Sequence, residues 1–162
     1  MNLPSIKQLG SDIMSDTTLD LTTDTIDVRD IIARYEELTE FVEAASGKDA
    51  GDFGGFDIWL AAVEQSNQDI TVDLVEELRV LVAILQFLKG EGGDEQWRGD
   101  WYPMLLIRES YFTEYARELL EDCGTIPRDL PSWVIIDWNA TAENVRVDYL
   151  CVTVGDTTYW YR

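Results

Sequence analysis

The sequence predicts an α+β fold, mainly helical over its first two-thirds and closing in a small helix-and-hairpin module. Three observations support this. Apolar residues recur at helical spacing in two long segments before residue 90. Short β-rich runs flank a Gly155-Asp156 turn near the end, which is a hairpin signature. Hydrophobic residues make up 46% of 162, enough to bury a core instead of leaving a disordered acidic chain.

Residues 1–24 are rich in Thr, Ser and Asp without a sustained period and read as a flexible N-terminal arm, with one extended piece at 19–21. Met14 is a possible second start. A first helix is expected over 28–45, capped by Asp27, stopped by Gly47 and striped by Ile31, Ile32, Tyr35, Leu38, Val42 and Ala45. A Gly- and Asp-rich loop follows. A short helix over 57–65 should turn Ile58, Trp59, Ala62 and Val63 inward. The strongest periodic signal, Val75, Leu78, Leu81, Val82, Leu85 and Leu88, places a third helix between Thr71 and Gly90.

Residues 90–99 read as a loop and a domain boundary, with Trp97, Trp101 and Tyr102 tucked against the core. A strand at 104–107 leads to a helix over 111–122 that Ser110 should cap and Gly124 should stop. Residues 133–136 form a connector or short strand, Asp137 caps a helix over 138–148, and strands 151–154 and 157–161 close the chain. The expected organisation is an arm (1–24), a helical acidic subdomain (25–100) and a C-terminal α+β subdomain (101–162).

Charge is the unusual feature. The chain carries 32 Asp and Glu against 12 Lys and Arg, a net charge of -20, and has no His. Such a surface repels nucleic acid and anionic membranes and attracts basic partners. Without His, the usual general base and the commonest zinc ligand are missing. Cys123 and Cys151 lie at no metal-ligand spacing and are expected to be buried thiols in a reducing compartment. The start lacks a basic segment followed by an apolar run, and the longest apolar stretch, 80–85, is far too short to span a bilayer. The expected location is the cytoplasm.

The acids fall in rows. Glu36, Glu40 and Glu43 lie at i, i+4 and i+7 of the first helix, and Glu114, Glu118 and Glu121 repeat that spacing on the helix over 111–122. Asp73, Glu76 and Glu77 open the third helix, at the positive end of its dipole. Each step climbs about 5–6 Å along a helix axis, while phosphates on one DNA strand climb about 3.4 Å per nucleotide. At about two phosphate charges per base pair, a charge of -20 matches on the order of ten base pairs. These nine carboxylates are the candidate partner-binding residues, standing where DNA presents phosphates.

The stretch Leu106-Ile-Arg-Glu-Ser-Tyr-Phe-Thr-Glu-Tyr-Ala-Arg-Glu-Leu119 resembles the C-terminal domain of the ArdA antirestriction family. So does Ile136-Asp-Trp-Asn-Ala-Thr-Ala-Glu-Asn-Val-Arg-Val-Asp-Tyr149, with the aromatic end Tyr159-Trp160-Tyr161. The resemblance covers about residues 104–161, and residues 1–100 do not share it. It implies an acidic, usually dimeric DNA mimic carried by a phage or mobile element. Such a protein occupies the DNA cleft of a type I restriction–modification enzyme and uses no catalysis and no cofactor. An inhibitor of another defence system sharing this module, such as an anti-CRISPR protein, is the alternative. A binding module using an aromatic patch of Trp97, Trp101 and Trp160 is a second.

Other chemistries find less support. Adjacent carboxylates such as Glu76-Glu77 and Asp94-Glu95 are inevitable in so acidic a chain and do not specify a hydrolase. The loops at 47–57 and 90–100 do not fit the twelve-residue calcium pattern. The triplet Arg98-Gly99-Asp100 is too short to be informative. Cys123 would follow a helix C-terminus, where a thiolate is disfavoured.

Overall fold

The computed structural model describes residues 19–65 and 70–162. The expected arm falls mostly outside them. The fold is α+β, helices joined to a small antiparallel sheet. It divides into two compact units, one containing Arg29–Gln86 and the other Leu21–Val28 with Phe87–Arg162.

The first unit is built on three helices: α1 (Val28–Ser46), α2 (Phe56–Glu64) and α3 (Val72–Leu88). The last two residues of α3 and the first of α1 belong to the other unit. Helix α1 ends where expected: Gly47 takes φ +66° and its N–H donates to the Glu43 carbonyl at 2.8 Å. This left-handed stop costs glycine little. At the start of α3, Thr71 Oγ1 accepts from the Leu74 N–H at 3.3 Å, as an N-cap residue does. Ile31, Ile32, Tyr35, Leu38 and Val42 are buried on α1, as the apolar stripe predicts.

On α2 the inward face is shifted from the expected one. Ile58 is 60% exposed, whereas Trp59, Leu60 and Val63 are fully buried. The spacing of 59, 60 and 63 defines a face on which Ile58 has no place. Trp59 anchors it by donating from Nε1 to the Lys48 carbonyl at 2.9 Å. On α3 the buried set adds Leu74 and Ile84 to the expected stripe, and Val82 is only half-buried.

The second unit carries a four-stranded antiparallel sheet made of β1 (Thr25–Asp27), β4 (Leu105–Arg108), β5 (Leu150–Val154) and β6 (Thr157–Tyr161). The strands lie in the order β1-β4-β6-β5. Pairing places Ile26 opposite Leu106, Ile107 opposite Trp160 and Val152 opposite Tyr159. One face buries Ile26, Leu106, Val152, Tyr159 and Tyr161. The other carries Ile107 against α4 (Phe112–Asp122) and α5 (Trp138–Arg146), in a cluster with Phe112, Ala116, Ala142 and Tyr149. The Arg146 guanidinium lies 4.9 Å from the ring centres of both Phe112 and Trp160. Strand β1 was not expected. No strand forms at 19–21; there Leu21 accepts a hydrogen bond from the Tyr159 hydroxyl, and Arg108 donates to the Thr22 carbonyl at 2.8 Å.

Further differences are local. The expected loop at 90–99 holds the first strand and the turn of a hairpin, β2 (Glu95–Trp97) paired with β3 (Asp100–Tyr102) and turned by Arg98 at φ +50° and Gly99 at φ +85°. Two consecutive positive φ values suit the twist of a tight hairpin, but arginine is not the residue that announces them. Because neighbouring strand residues face opposite ways, Tyr102 is buried and Trp101 is 46% exposed instead of tucked in. Ser110 makes no side-chain cap. Residues Glu109–Tyr111 wind as a 3-10 turn and α4 begins only at Phe112. Asp137 does cap α5, accepting from the Ala140 N–H at 3.0 Å, and that helix stops two residues short of expectation. Both cysteines are exposed, not buried. Cys123 follows the last residue of α4, and Cys151 lies on the edge strand β5.

The segment leading into β2 leaves no room at Gly92. A Cβ there would lie 2.2 Å from the Pro103 nitrogen and 2.5 Å from the Tyr102 carbonyl carbon, whereas at Gly93 it would meet nothing within 4 Å. Gly92→Ala should therefore cost about 2 kcal/mol or more in urea unfolding, as overpacking against backbone does. Gly93→Ala should change stability by less than about 0.5 kcal/mol.

Candidate functional site

The nine candidate carboxylates occupy three helices but not equivalent environments. On α1, Glu36 and Glu40 are exposed and Glu43 is half-buried, its Oε1 accepting from the Ala50 N–H at 2.7 Å. That bond ties the row to the turn after α1. On α3, Asp73 and Glu76 are exposed, but Glu77 turns inward. Its two oxygens accept from Nε and Nη2 of Arg34 at 2.8 and 3.2 Å, and Glu37 accepts from Nη1 at 2.9 Å.

Arg34 is only 5% exposed. The Glu77 hydrogen bonds are the chief reason its pKa is raised, against the opposing effect of burial. A guanidinium can be buried when its donors meet carboxylates in a fork of this kind. Glu77 thus clamps α1 to α3 and presents little charge outward. The sequence carries one signal of this. Arg34 stands three residues after Ile31 and four before Leu38, inside the apolar arc of its helix. A cation there requires an acidic partner from another element.

On α4, Glu114, Glu118 and Glu121 all face solvent. Arg117 sits among them, 3.7 Å from Glu114 and 3.1 Å from Glu121, and these contacts, with Glu121 foremost, raise its pKa. Glu118 accepts from the Tyr111 hydroxyl at 2.8 Å, which raises the pKa of that phenol. This row is partly compensated. The α1 row and the α4 row belong to different units.

Counting charges over the described residues shows where the excess lies. Residues 29–65 and 70–86 hold twelve acids and four cations, leaving -8. Residues 21–28 and 87–162 hold sixteen acids and seven cations, leaving -9. Several cations already face acids of their own unit: Arg34 as above, Arg79 with Glu64 at 3.0 Å, Lys89 with Asp100 at 3.0 Å, and Arg117. The surface beyond these pairs is correspondingly anionic.

No family model, curated protein or solved structure matches the chain.

Two large apolar side chains stand in solvent with no signal in the sequence to mark them. Trp133 is 81% and Ile135 90% exposed, in the segment between α4 and α5 that forms no strand. Of the expected aromatic patch, Trp97 and Trp160 are half-buried and only Trp101 is well exposed. No helix is long and apolar enough to cross a membrane among the described residues.

Glu77 and its neighbour Glu76 separate clamp from display. Glu77→Ala leaves buried Arg34 with Glu37 alone and should destabilise the chain by about 2–3 kcal/mol, less than a fully buried pair because Glu37 remains. Glu76→Ala should fall within about 0.5 kcal/mol. Urea midpoints of the two variants check this.

Proposed function

We propose that the chain is an inhibitor that displays carboxylates in place of DNA phosphates. It would block the DNA-binding cleft of a bacterial defence enzyme, a type I restriction–modification enzyme first. One observation carries this reading: each unit keeps a large surplus of acids, with Glu36, Glu40, Asp73, Glu76 and Glu118 turned to solvent on helices that fix their spacing. A basic cleft shaped for a polyanion is the complementary surface, and long-range attraction would speed the encounter. The resemblance of residues 104–161 to the ArdA family points the same way. On this reading the protein acts in the host cytoplasm as a homodimer, without cofactor or catalytic step, and does not itself bind nucleic acid. Glu77 then belongs to the scaffold, and Glu36 and Glu40 to the contact surface.

A second reading has one specific observation in its favour. Exposed Trp133 and Ile135 are the kind of apolar anchors that dominate protein–protein affinity. A binding module would use them and keep its acidity for solubility. An inhibitor of a different defence enzyme, a CRISPR effector for example, would share the phosphate-mimicking mechanism and differ only in target.

The test is competition between the purified chain and a labelled DNA duplex for a type I methyltransferase. The chain should displace the duplex. Joint replacement of Glu36, Glu40 and Glu43 by Gln keeps the Glu43 acceptor and removes three charges. At about 0.5 kcal/mol for each of the two exposed contacts, Glu36 and Glu40, it should weaken inhibition roughly fivefold. Displacement that is equally strong for this variant would remove α1 from the contact surface. Absence of displacement by the wild type would rule out this class of target.

A further inference from the structure

The second unit contains a recess of about 260 Å³ that none of the carboxylate rows uses. Its apolar lining comes from Met104, Leu105 and Ile107, and its polar lining from Asp94, Arg162 and two tyrosines, Tyr115 and Tyr149. Asp94 is held at the entry to the β2–β3 hairpin by its own N–H, which donates to the Tyr102 carbonyl at 3.2 Å. Arg162 follows the buried Tyr161 at the end of β6, with its guanidinium 5.4 Å from the centre of the Tyr149 ring. Neither Asp94 nor Arg162 is in an ion pair among the described residues. Unpaired charges of opposite sign therefore line one cavity.

The tyrosines add a directed hydrogen-bonding group. Their hydroxyl oxygens are 3.1 Å apart, so one donates to the other and the accepting hydroxyl keeps a hydrogen for a third partner. A tyrosine phenol is protonated at neutral pH in any case, and burial raises the Tyr149 pKa further. The recess thus offers an anion, a cation and an O–H donor above an apolar floor.

We propose that this recess binds a free α-amino acid with an apolar side chain. Its carboxylate would lie toward Arg162 and the tyrosine hydroxyl, its ammonium toward Asp94, and its side chain against Met104, Leu105 and Ile107. A ligand with only a carboxylate would meet Asp94, and a ligand with only an amine would meet Arg162. A zwitterion answers both, and its zero net charge spares it the repulsion that this acidic surface imposes on anions. The volume lies just under the usual range for small-molecule pockets, about 300–1,000 Å³, which suits a ligand the size of one residue. This proposal does not depend on the inhibitor reading.

Calorimetric titration of the full chain with L-leucine, L-methionine and L-phenylalanine tests it. At least one should bind saturably at one site. Isocaproate and isoamylamine, which each keep only one of leucine's charges, should bind at least tenfold more weakly than the best amino acid. Asp94→Asn and Arg162→Gln should each weaken amino-acid binding roughly tenfold, about 1.4 kcal/mol. Both side chains are exposed and outside the core, so the unfolding midpoint should stay at the wild-type value. No saturable heat for any of the three up to about 10 mM would overturn the proposal. So would equal binding of the singly charged analogues, or wild-type affinity in both variants.

Discussion

Thirty-two carboxylates share 162 residues with twelve cations, so any fold of this chain must hold like charges close together without being driven open by them. Apolar burial supplies the opposing force in each unit, from the Leu- and Val-rich face of α3 to the aromatic cluster around Phe112. Two of the cations serve the scaffold. Arg34 is buried and forked onto Glu77, and Arg146 lies against the rings of both Phe112 and Trp160. The result is a set of helices whose outward acids keep a fixed spacing because their inward faces are anchored. A rigid anionic row of this kind differs from a disordered acidic tail, whose charges move apart as they repel.

Much of this was legible in the sequence because it follows from periodicity. The stripe from Ile31 to Val42 and that from Val75 to Leu88 mark α1 and α3, Gly47 marks a stop and Asp137 a cap. The failures share a physical cause: they concern partners distant in sequence or backbone states without a characteristic residue. Strand β1 is three residues long and exists through its pairing with β4, about 80 residues away. The β2–β3 turn uses Arg98 at positive φ, where Asn, Asp or Gly would have signalled it. The cysteines look like core residues by type, yet an edge strand and a helix end leave them in solvent.

The candidate site was legible to the same degree. Spacing alone places Glu36 and Glu40 on one exposed face of α1, and the same logic holds for Asp73 and Glu76 on α3. It does not reveal that Glu77 is taken up by Arg34, that Glu43 closes a turn, or that Arg117 sits between Glu114 and Glu121. Neighbours on one helix follow from arithmetic on residue numbers, whereas a partner 43 residues away follows only from the fold. Structure thus divides one list of acids into those that hold the scaffold and those available to a partner. For a mechanism that works by charge display, this division matters more than the total.

A phosphate mimic and an apolar docking module respond oppositely to salt. Ionic strength screens exposed charges, with a Debye length of about 8 Å at 0.15 M and about 3 Å at 1 M, while it spares or strengthens apolar burial. The decisive measurement is the affinity of the purified chain for a type I methyltransferase across a salt series, with a DNA duplex as reference. Carboxylates standing in for phosphates require affinity to fall steeply with salt, in parallel with that of the duplex. Affinity that stays level or rises would contradict charge mimicry and place the binding energy in exposed apolar residues such as Trp133 and Ile135.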